Sequence, residues 1–395
     1  MVYEPAEDSF LIQKEVKKLA RGRVMDMGTG SGILAETALK SKRVRSVLGA
    51  DIKKEAVEHC RRSIKNRKAS FIVSDLFSKV PKPKNKAQLF DTIIFNPPYL
   101  PEQEGELWEL KTDVAGGKHG YEIIGRFLAD VNDYLAPDGI ILLLFSTITG
   151  KMKVDELIAQ HMMDSDRLNK LNIAFEQLYV YRLKKNRFRK LLEKQGVSKI
   201  APLSRGHRGL IFTGIWKNKK ITVKIQRQDI GAKGTVDNEV KQLKKLNKHS
   251  IGPTLLFSGK DYFAYNYIEG DFIRQFIDRS TTKKDDVIDV LKKVFEQMYL
   301  MDHLGLNKEE MHHPVKHIIV TKGKKPVLVD FERCKPKTKP HNVTQFAQFV
   351  ISGKLLHHMQ RHNIKISMLE MLNRARRYSE RRSRENFDAI LALLE

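Results

Sequence analysis

Phe90-Asp91-Thr92-Ile93-Ile94-Phe95-Asn96-Pro97-Pro98-Tyr99 reads as a buried apolar strand that stops abruptly. Two consecutive prolines remove the backbone donors that a ladder or a helix would need. Asn96 and Tyr99 are thereby held at the strand's C-terminal edge, which is where ligands sit in open parallel sheets. The Asn side chain and the proline-fixed carbonyls offer acceptors to a planar –NH2 group, and the aromatic ring offers a surface to pack it against. Such a set suits holding an amide or exocyclic amine while its nitrogen attacks something. Taken alone, Pro-Pro after an apolar strand is an ordinary turn; the sequence upstream changes that reading.

Upstream, an amphipathic helix runs from about Phe10 to Leu19 and is followed by Arg23-Val24-Met25-Asp26. The loop Met27-Gly28-Thr29-Gly30-Ser31-Gly32 then leads into helix-like Ile33 to Ala38. A strand, a glycine loop and a helix in that order allow close backbone approach to a ligand. Gly-x-Gly-x-Gly is neither the dinucleotide Gly-x-Gly-x-x-Gly nor a Walker loop, which needs Gly-Lys-Ser/Thr. The next strand, Val47 to Asp51, ends in an acid placed to take both hydroxyls of a ribose. A third, Phe71-Ile72-Val73, leads to Ser74-Asp75, where an acid or its backbone meets an adenine edge. Alternation continues through Tyr121–Tyr134, Ile140–Phe145 and Phe175–Arg182. This βαβ rhythm predicts an α/β fold with a Rossmann-like, doubly wound parallel sheet.

Several of these stretches agree in order and spacing with one family. Tyr-Glu-Pro-Ala-Glu-Asp-Ser-Phe-Leu-Ile at the start, Asp-Met-Gly-Thr-Gly-Ser-Gly, Ala-Asp-Ile, Ser-Asp-Leu-Phe, Phe-Asn-Pro-Pro-Tyr-Leu-Pro and Phe-Glu-Gln-Leu-Tyr-Val-Tyr-Arg resemble the HemK methyltransferases. The likeness is to their short archaeal and eukaryotic branch and covers residues 1 to about 186. It implies an enzyme that uses S-adenosylmethionine to N5-methylate the glutamine of a Gly-Gly-Gln motif in a peptide-chain release factor. Carried over, Asp26, Gly28, Gly30 and Gly32 wrap the methionine part of the cofactor, Asp51 holds the ribose and Asp75 the adenine. Asn96, which also borders the cofactor, and the Pro97 carbonyl orient the glutamine amide. Pro98 and Tyr99 pack on it, and Glu7 and Asp8 close the pocket. The resemblance further implies a small zinc-binding activator paired with the edge strand near Ser70–Val73. In a departure from the family, Gln160–Asn172 is abbreviated, and shortened last strands are expected. Two rival acceptors share the motif's chemistry: the N6 amine of adenine in nucleic acid, and a lysine amine. Duplex DNA demands base flipping and a basic cleft, which the near-neutral first 180 residues do not advertise.

Charge divides the chain. Residues 1–180 hold 27 Lys+Arg against 25 Asp+Glu, and the remainder 45 against 22, so nearly all of the +25 net charge lies in the second half. That asymmetry points to an anionic partner such as RNA or a ribosome, or else to a lysine-rich solvated surface. Only Cys60 and Cys334 are present, too few for a disulfide framework and consistent with a reducing compartment. The longest apolar run, Gly139 to Phe145, is far short of a membrane span. A cytoplasmic protein with no membrane partner is expected.

A basic run from Tyr181 to Lys190 suggests a linker at 187–200, separating a domain at 1–186 from a second at 201–370. In the second, Leu210–Trp216 and Ile221–Ile225 form a hairpin about a turn at Lys217–Lys220, preceded by the glycine turn Ser204–Gly209. Glu239 follows in a helix with Val240, Leu243 and Leu246. Two strands and a hinge end at Glu269-Gly270. This order is similar to the small lobe and hinge of protein-kinase-like folds, and more narrowly to a small archaeal family related to the RIO kinases, over about residues 200–350. The resemblance implies that Lys224 pairs with Glu239 and meets ATP, and that Asp330 of Leu328-Val329-Asp330-Phe331-Glu332 holds Mg2+. Ser/Thr protein kinase activity is what such a fold would imply. Aligned on the following strand, however, His312 falls on the base position and His317 on the second metal position. Neither is a carboxylate or amide; Glu309 or Glu310 would have to substitute, or the domain binds nucleotide without transferring phosphate. His312, His313 and His317 lack a nearby Cys to complete a zinc site, and His358 with His362 are read the same way. Residues 371–395 are expected as one basic C-terminal helix with an apolar end, its arginines either contacting RNA or solvated. Set against the enzyme is a binding protein: a translation-associated scaffold for ATP and RNA.

Overall fold

The computed structural model describes residues 4–101, 117–173, 175–205, 209–226 and 235–394. The chain divides into two compact units, Met1–Ala201 and Pro202–Glu395. The glycine turn expected before the second-half hairpin falls at 206–208, outside the described residues.

In the first unit the order is α1 (Glu7–Leu19), β1 (Gly22–Met27), α2 (Ile33–Leu39), β2 (Val44–Asp51), α3 (Lys54–Ser63) and β3 (Ala69–Val73). There follow β4 (Phe90–Phe95), α4 (Glu122–Val131), β5 (Leu135–Ser146), α5 (Lys151–Gln160), β6 (Met163–Ile173), β7 (Glu176–Lys185) and α6 (Arg187–Lys194). Seven strands pair in the order β3-β2-β1-β4-β5-β7-β6. The first five are mutually parallel. β7 and β6 run antiparallel, so the sheet is mixed rather than wholly parallel. A two-residue connection between β6 and β7 permits nothing else, because parallel neighbours need a long crossover. β6 has 11 residues and β7 has 10.

Helices cover both faces. Leu11, Ile12 and Val16 of α1 pack with Leu34, Ala38, Val57 and Cys60 on one side. Ile124, Phe127, Leu128 and Val131 of α4, spaced as a single helical stripe, pack with Val154, Ile158, Phe77 and Phe95 on the other. The strand order reverses at β1, between β2 and β4, and β4's end lies in register beside the glycine loop: Met27 faces Phe95 on one side and Ala50 on the other. That reversal is where α/β sheets open a crevice.

The basic stretch expected as a linker is a helix of the first unit. Asn186 caps α6, accepting from Arg189 N at 2.9 Å. The Arg189 side chain is buried and donates to Glu193 at 2.7 Å and to the Ile200 carbonyl at 3.1 Å. Buried Lys185 reaches Glu193 at 2.9 Å and the Asn132 carbonyl at 2.8 Å. Charges that looked like solvated linker residues are consumed in holding the helix down.

Strand β8 (Ser198–Arg205) runs across the boundary, and the second unit continues with β9 (Gly209–Trp216), β10 (Lys219–Gln226), α7 (Thr235–Leu246), β11 (Leu255–Gly259) and β12 (Tyr262–Asn266). Its five-stranded sheet has the order β11-β12-β10-β9-β8. The β9–β10 turn is tighter than the four residues expected: Trp216 pairs with Lys219, and Lys217 and Asn218 both take left-handed φ, at 48° and 61°. That is the two-residue turn whose twist matches the flanking strands. Beyond come β13 (Gly270–Phe272), α8 (Ile273–Asp278), α9 (Lys284–His303), β14 (Leu306–Lys308), β15 (Ile318–Thr321), β16 (Pro326–Leu328) and β17 (Cys334–Pro336). The chain closes with α10 (Asn342–Val350), α11 (Gly353–Gln360), α12 (Met368–Glu380) and α13 (Arg384–Leu391).

The tail is therefore two helices and not one. Arg381 ends α12 in an extended conformation, and Ser383 starts α13 by accepting from Asn386 N at 3.3 Å. Met371, Tyr378, Phe387 and Ile390 enter the unit's single apolar core with Phe295 and Phe346. Several of the arginines are paired within the unit, Arg384 on Glu296 at 2.7 and 3.0 Å and Arg382 on the Pro340 carbonyl at 2.9 Å. No helix among the described residues is long and apolar enough to cross a membrane.

Candidate functional site

At the end of β1 the Asp26 carboxylate is fully buried beneath the glycine loop. Its Oδ2 accepts from Thr29 Oγ1 at 2.8 Å and from Ala35 N at 3.1 Å, which ties the loop to the start of α2. Burial pushes its pKa up to about 7, against the pull of those two donors. Asp26, expected at the cofactor, grips the loop from below. Gly32 sits at φ 83°, and a Cβ there would meet Cys60 Sγ at 2.9 Å and Ile64 at 2.7 Å. Gly28, at φ 68°, presents an open edge: a Cβ on it would lie 3.9 Å from the Asn96 carbonyl oxygen and from the Phe95 ring. The glycine bend and the Asn-Pro-Pro tip thus border one another.

Asp51 closes the second side. Its Oδ2 accepts from Gly30 N at 2.9 Å and its Oδ1 from Lys53 N at 2.9 Å, so the carboxylate is fixed with lone pairs to spare. Asp75 follows β3 as expected, but its carboxylate is paired with Arg126 at 2.7 Å, and both side chains are exposed. Nothing in the sequence marked Arg126.

On the acceptor side, buried Asp8 takes a hydrogen bond from Asn96 Nδ2 at 3.0 Å. With the amide's nitrogen so engaged, Asn96 Oδ1 is buried and has no partner among the described residues. A buried acceptor left open is costly and asks for a donor. Glu7, the neighbouring acid, is exposed and is not brought to Asn96. Pro97 is buried and Pro98 half-buried. Tyr99 packs against the α1-side core, and its carbonyl accepts from Thr149 Oγ1 at 2.9 Å. Thr149 was not foreseen; it tethers the tip to the turn after β5.

The second unit holds a cleft of about 780 Å³ lined by Lys224, Glu239, Tyr265, Glu310, His317 and Asp330 among others. Lys224 Nζ is 2.6 Å from Glu239, 2.9 Å from Asp330 and 3.6 Å from Glu332. Burial alone would lower its pKa; the Glu239 and Asp330 carboxylates more than reverse this and hold it above the usual lysine value. Glu239 Oε1 also accepts from Phe331 N at 3.0 Å. The three residues expected to meet here, Lys224, Glu239 and Asp330, do so. His312, expected at the base position, does not line this cleft: its ring is on the Glu309 carbonyl at 2.8 Å. Glu310 lines it instead.

The first unit's sheet, with a glycine loop and an Asn-Pro-Pro-Tyr tip at its switch point, defines a Rossmann-like methyltransferase. The Methyltransferase small domain family profile matches residues 7–172. A Methanocaldococcus jannaschii protein, named provisionally as a protein N5-glutamine methyltransferase, is 34% identical over 183 residues, covering 45% of this chain and 89% of that relative. The release factor glutamine methyltransferase of Streptococcus pneumoniae is 31% identical, over 39% of this chain and 56% of its own length. Human methyltransferase HEMK2 is 31% identical, over 36% and 71%. Among solved structures, the E. cuniculi Mtq2–Trm112 complex, described as responsible for methylating the termination factor eRF1, aligns at 24% identity and a TM-score of 0.37, covering 47% of this chain and 99% of that one. The chain belongs, through its first unit, to the S-adenosylmethionine-dependent methyltransferase family that includes the protein N5-glutamine methyltransferases.

Proposed function

We propose that the first unit methylates the amide nitrogen of a glutamine, the one in the Gly-Gly-Gln motif of a peptide-chain release factor. The observation that carries this is Asn96 Oδ1, buried and without a partner among the described residues, on a residue whose backbone carbonyl borders Gly28 at the tip of β4. The donor set fits the cofactor: the open edge at Gly28 leaves room a Cβ would fill, and the fixed Asp51 carboxylate keeps lone pairs for ribose hydroxyls. S-adenosylmethionine, when bound, supplies an electrophilic methyl carbon on a sulfonium.

The chain's own residues supply geometry. An amide nitrogen is a poor nucleophile because its lone pair is delocalised into its carbonyl. Asn96 Oδ1 and the Pro97 carbonyl accept its two N–H groups, aim the nitrogen and stabilise positive charge growing there. Asp8 prevents the Asn96 amide from turning its own N–H toward the substrate. No general base is needed before transfer; the nitrogen loses a proton to solvent afterwards.

Labelled cofactor with a purified release factor tests this. Label should enter the Gly-Gly-Gln form and not one whose Gln is replaced; equal labelling of both would refute it. Label entering nucleic acid or lysine would instead support the two rivals. We also infer that β3, an edge strand, pairs with a small zinc-binding activator in a cytoplasmic complex. Soluble, monodisperse first unit on its own would argue against that partner.

For the second unit we infer a kinase-like, ATP-binding cleft. Lys224, drawn among three carboxylates, would meet nucleotide phosphates, and that cluster supports the reading. Asp330, which lines the same cleft, would hold Mg2+ together with phosphate oxygens. ATP-dependent thermal stabilisation of the intact chain, lost in Lys224→Ala, is expected. Salt-sensitive RNA binding with no stabilisation by ATP would favour an RNA-binding scaffold.

A further inference from the structure

Lys308, the last residue of β14, has a side chain with 0% exposure. An ammonium so enclosed must be paired. Its Nζ donates to the Asp330 backbone carbonyl, lies 3.3 Å from Glu310 Oε2, and stands 5.0 Å from the centre of the Phe331 ring. One amine thereby ties the loop after β14 to the segment that carries Asp330. Asp330 is held at φ 63°, a value that costs a non-glycine residue energy unless its surroundings impose it. Glu310 is drawn into the cleft, its side chain 14% exposed, on the same wall as His317 and Asp330. His312, two residues later, is exposed with its ring turned to its own loop.

We propose that Glu310 is a catalytic residue of the second unit, the proton acceptor for an oxygen nucleophile that attacks the terminal phosphorus of a nucleoside triphosphate. This rests on the nucleotide reading of Lys224, Glu239 and Asp330. A bond forms between the acceptor oxygen, of water or another hydroxyl, and the terminal phosphorus. The bond from that phosphorus to the bridging oxygen breaks, and its electron pair leaves with the diphosphate. The proton of the attacking oxygen ends on the Glu310 carboxylate. Lys308 is a positioning residue: it engages one carboxylate oxygen of Glu310 and leaves the other to the cleft. Glu239, Asp330 and Glu332, which also line the cleft, are drawn to Lys224 instead.

Linear alignment on β15 puts His312 at the base position and leaves Glu309 and Glu310 as undistinguished substitutes, because it counts back from His317. The fold shows that the loop reaches the cleft earlier, at Glu310, directly after the clamp at Lys308.

The test uses the full chain with MgATP, reading phosphate release and the ATP-dependent shift in melting temperature side by side. Wild type is expected to hydrolyse ATP and to be stabilised by it. Glu310→Gln should lower turnover about 100-fold or more while the stabilisation by ATP stays. Glu310→Asp, which keeps the charge beside Lys308, should recover part of the rate, and His312→Ala should turn over as wild type does. Turnover unchanged in Glu310→Gln, or lost in His312→Ala and kept in Glu310→Gln, overturns the assignment. So does a wild-type chain that ATP stabilises but that releases no phosphate. Absence of any ATP-dependent stabilisation removes the nucleotide reading itself, and this assignment with it.

Discussion

Replacing Asp8 by alanine isolates the orientation of Asn96 from the rest of the pocket. Asp8 is buried in the first turn of α1 and accepts from Asn96 Nδ2 at 3.0 Å. A hydrogen bond to a charged group contributes about 1.5–3 kcal/mol. Without it the Asn96 amide can turn over, offering its N–H where the substrate amide needs an acceptor. If that energy is felt in the transition state, methyl transfer falls roughly 10- to 150-fold. The glycine loop and Asp51 are untouched, so cofactor affinity should change little. The assay pairs single-turnover transfer of labelled methyl to the release factor with cofactor titration calorimetry. Transfer within about twofold of wild type, at unchanged cofactor affinity, would refute the idea that Asp8 sets the amide. A parallel loss of cofactor binding would instead mean that the variant disturbs the whole crevice. Thermal melting separates this effect from a loosened α1, where removal of a first-turn acid costs about 0.3–1 kcal/mol.

Three further outcomes are expected. Asp26 has a folded pKa of about 7 against 3.8 unperturbed, so its contribution is full at low pH and is lost as pH rises through 7; stability should fall by roughly 4 kcal/mol across that window. Asp26→Asn should remove that slope in urea melts, and a slope that persists in the variant would assign it elsewhere. Gly32→Ala should destabilise the first unit by about 1–3 kcal/mol, since it imposes φ 83° on a residue with a Cβ beside Cys60; an unchanged melt would contradict the strain. Lys308→Met should cost the second unit about 3–5 kcal/mol by leaving the Asp330 carbonyl and Glu310 without their buried partner, read as a lowered melting transition.

The elements that alternate apolar runs with glycine and proline punctuation were legible from the chain alone. β1, β2, β3 and β4 lie where their apolar runs and terminal acids placed them, because a strand covered on both faces has little freedom in composition. The Asn96 tip and the Gly28 bend meet for the same reason: both end parallel neighbours in register. What escaped was the work of side chains whose partner is far away in sequence. Asp26 looked like a ligand-binding acid, and only the fold shows its carboxylate turned under the loop to Thr29 and Ala35. Asp75 gave no sign of Arg126, which is 51 residues on. In the basic run Tyr181–Lys190, charge density suggested a solvated linker, yet Arg189 is committed to Glu193; in the tail Arg384 pairs with Glu296 while remaining half-exposed. Lys308 is the extreme case, since nothing local distinguishes a fully enclosed lysine from the many on the surface.

The clamp of Lys185 and Arg189 on Glu193 also decides how the two halves can be separated. A cut placed by homology, just after β7, would strip away α6 and leave the buried Lys185 ammonium with the Asn132 carbonyl but without Glu193. Excision after Ala201 keeps that lock closed, with the Ile200 carbonyl still under Arg189. In any gene rearrangement that moved the enzyme without its companion, this short helix would have to travel with it, and its fate in natural stand-alone relatives becomes a record of where the join was made.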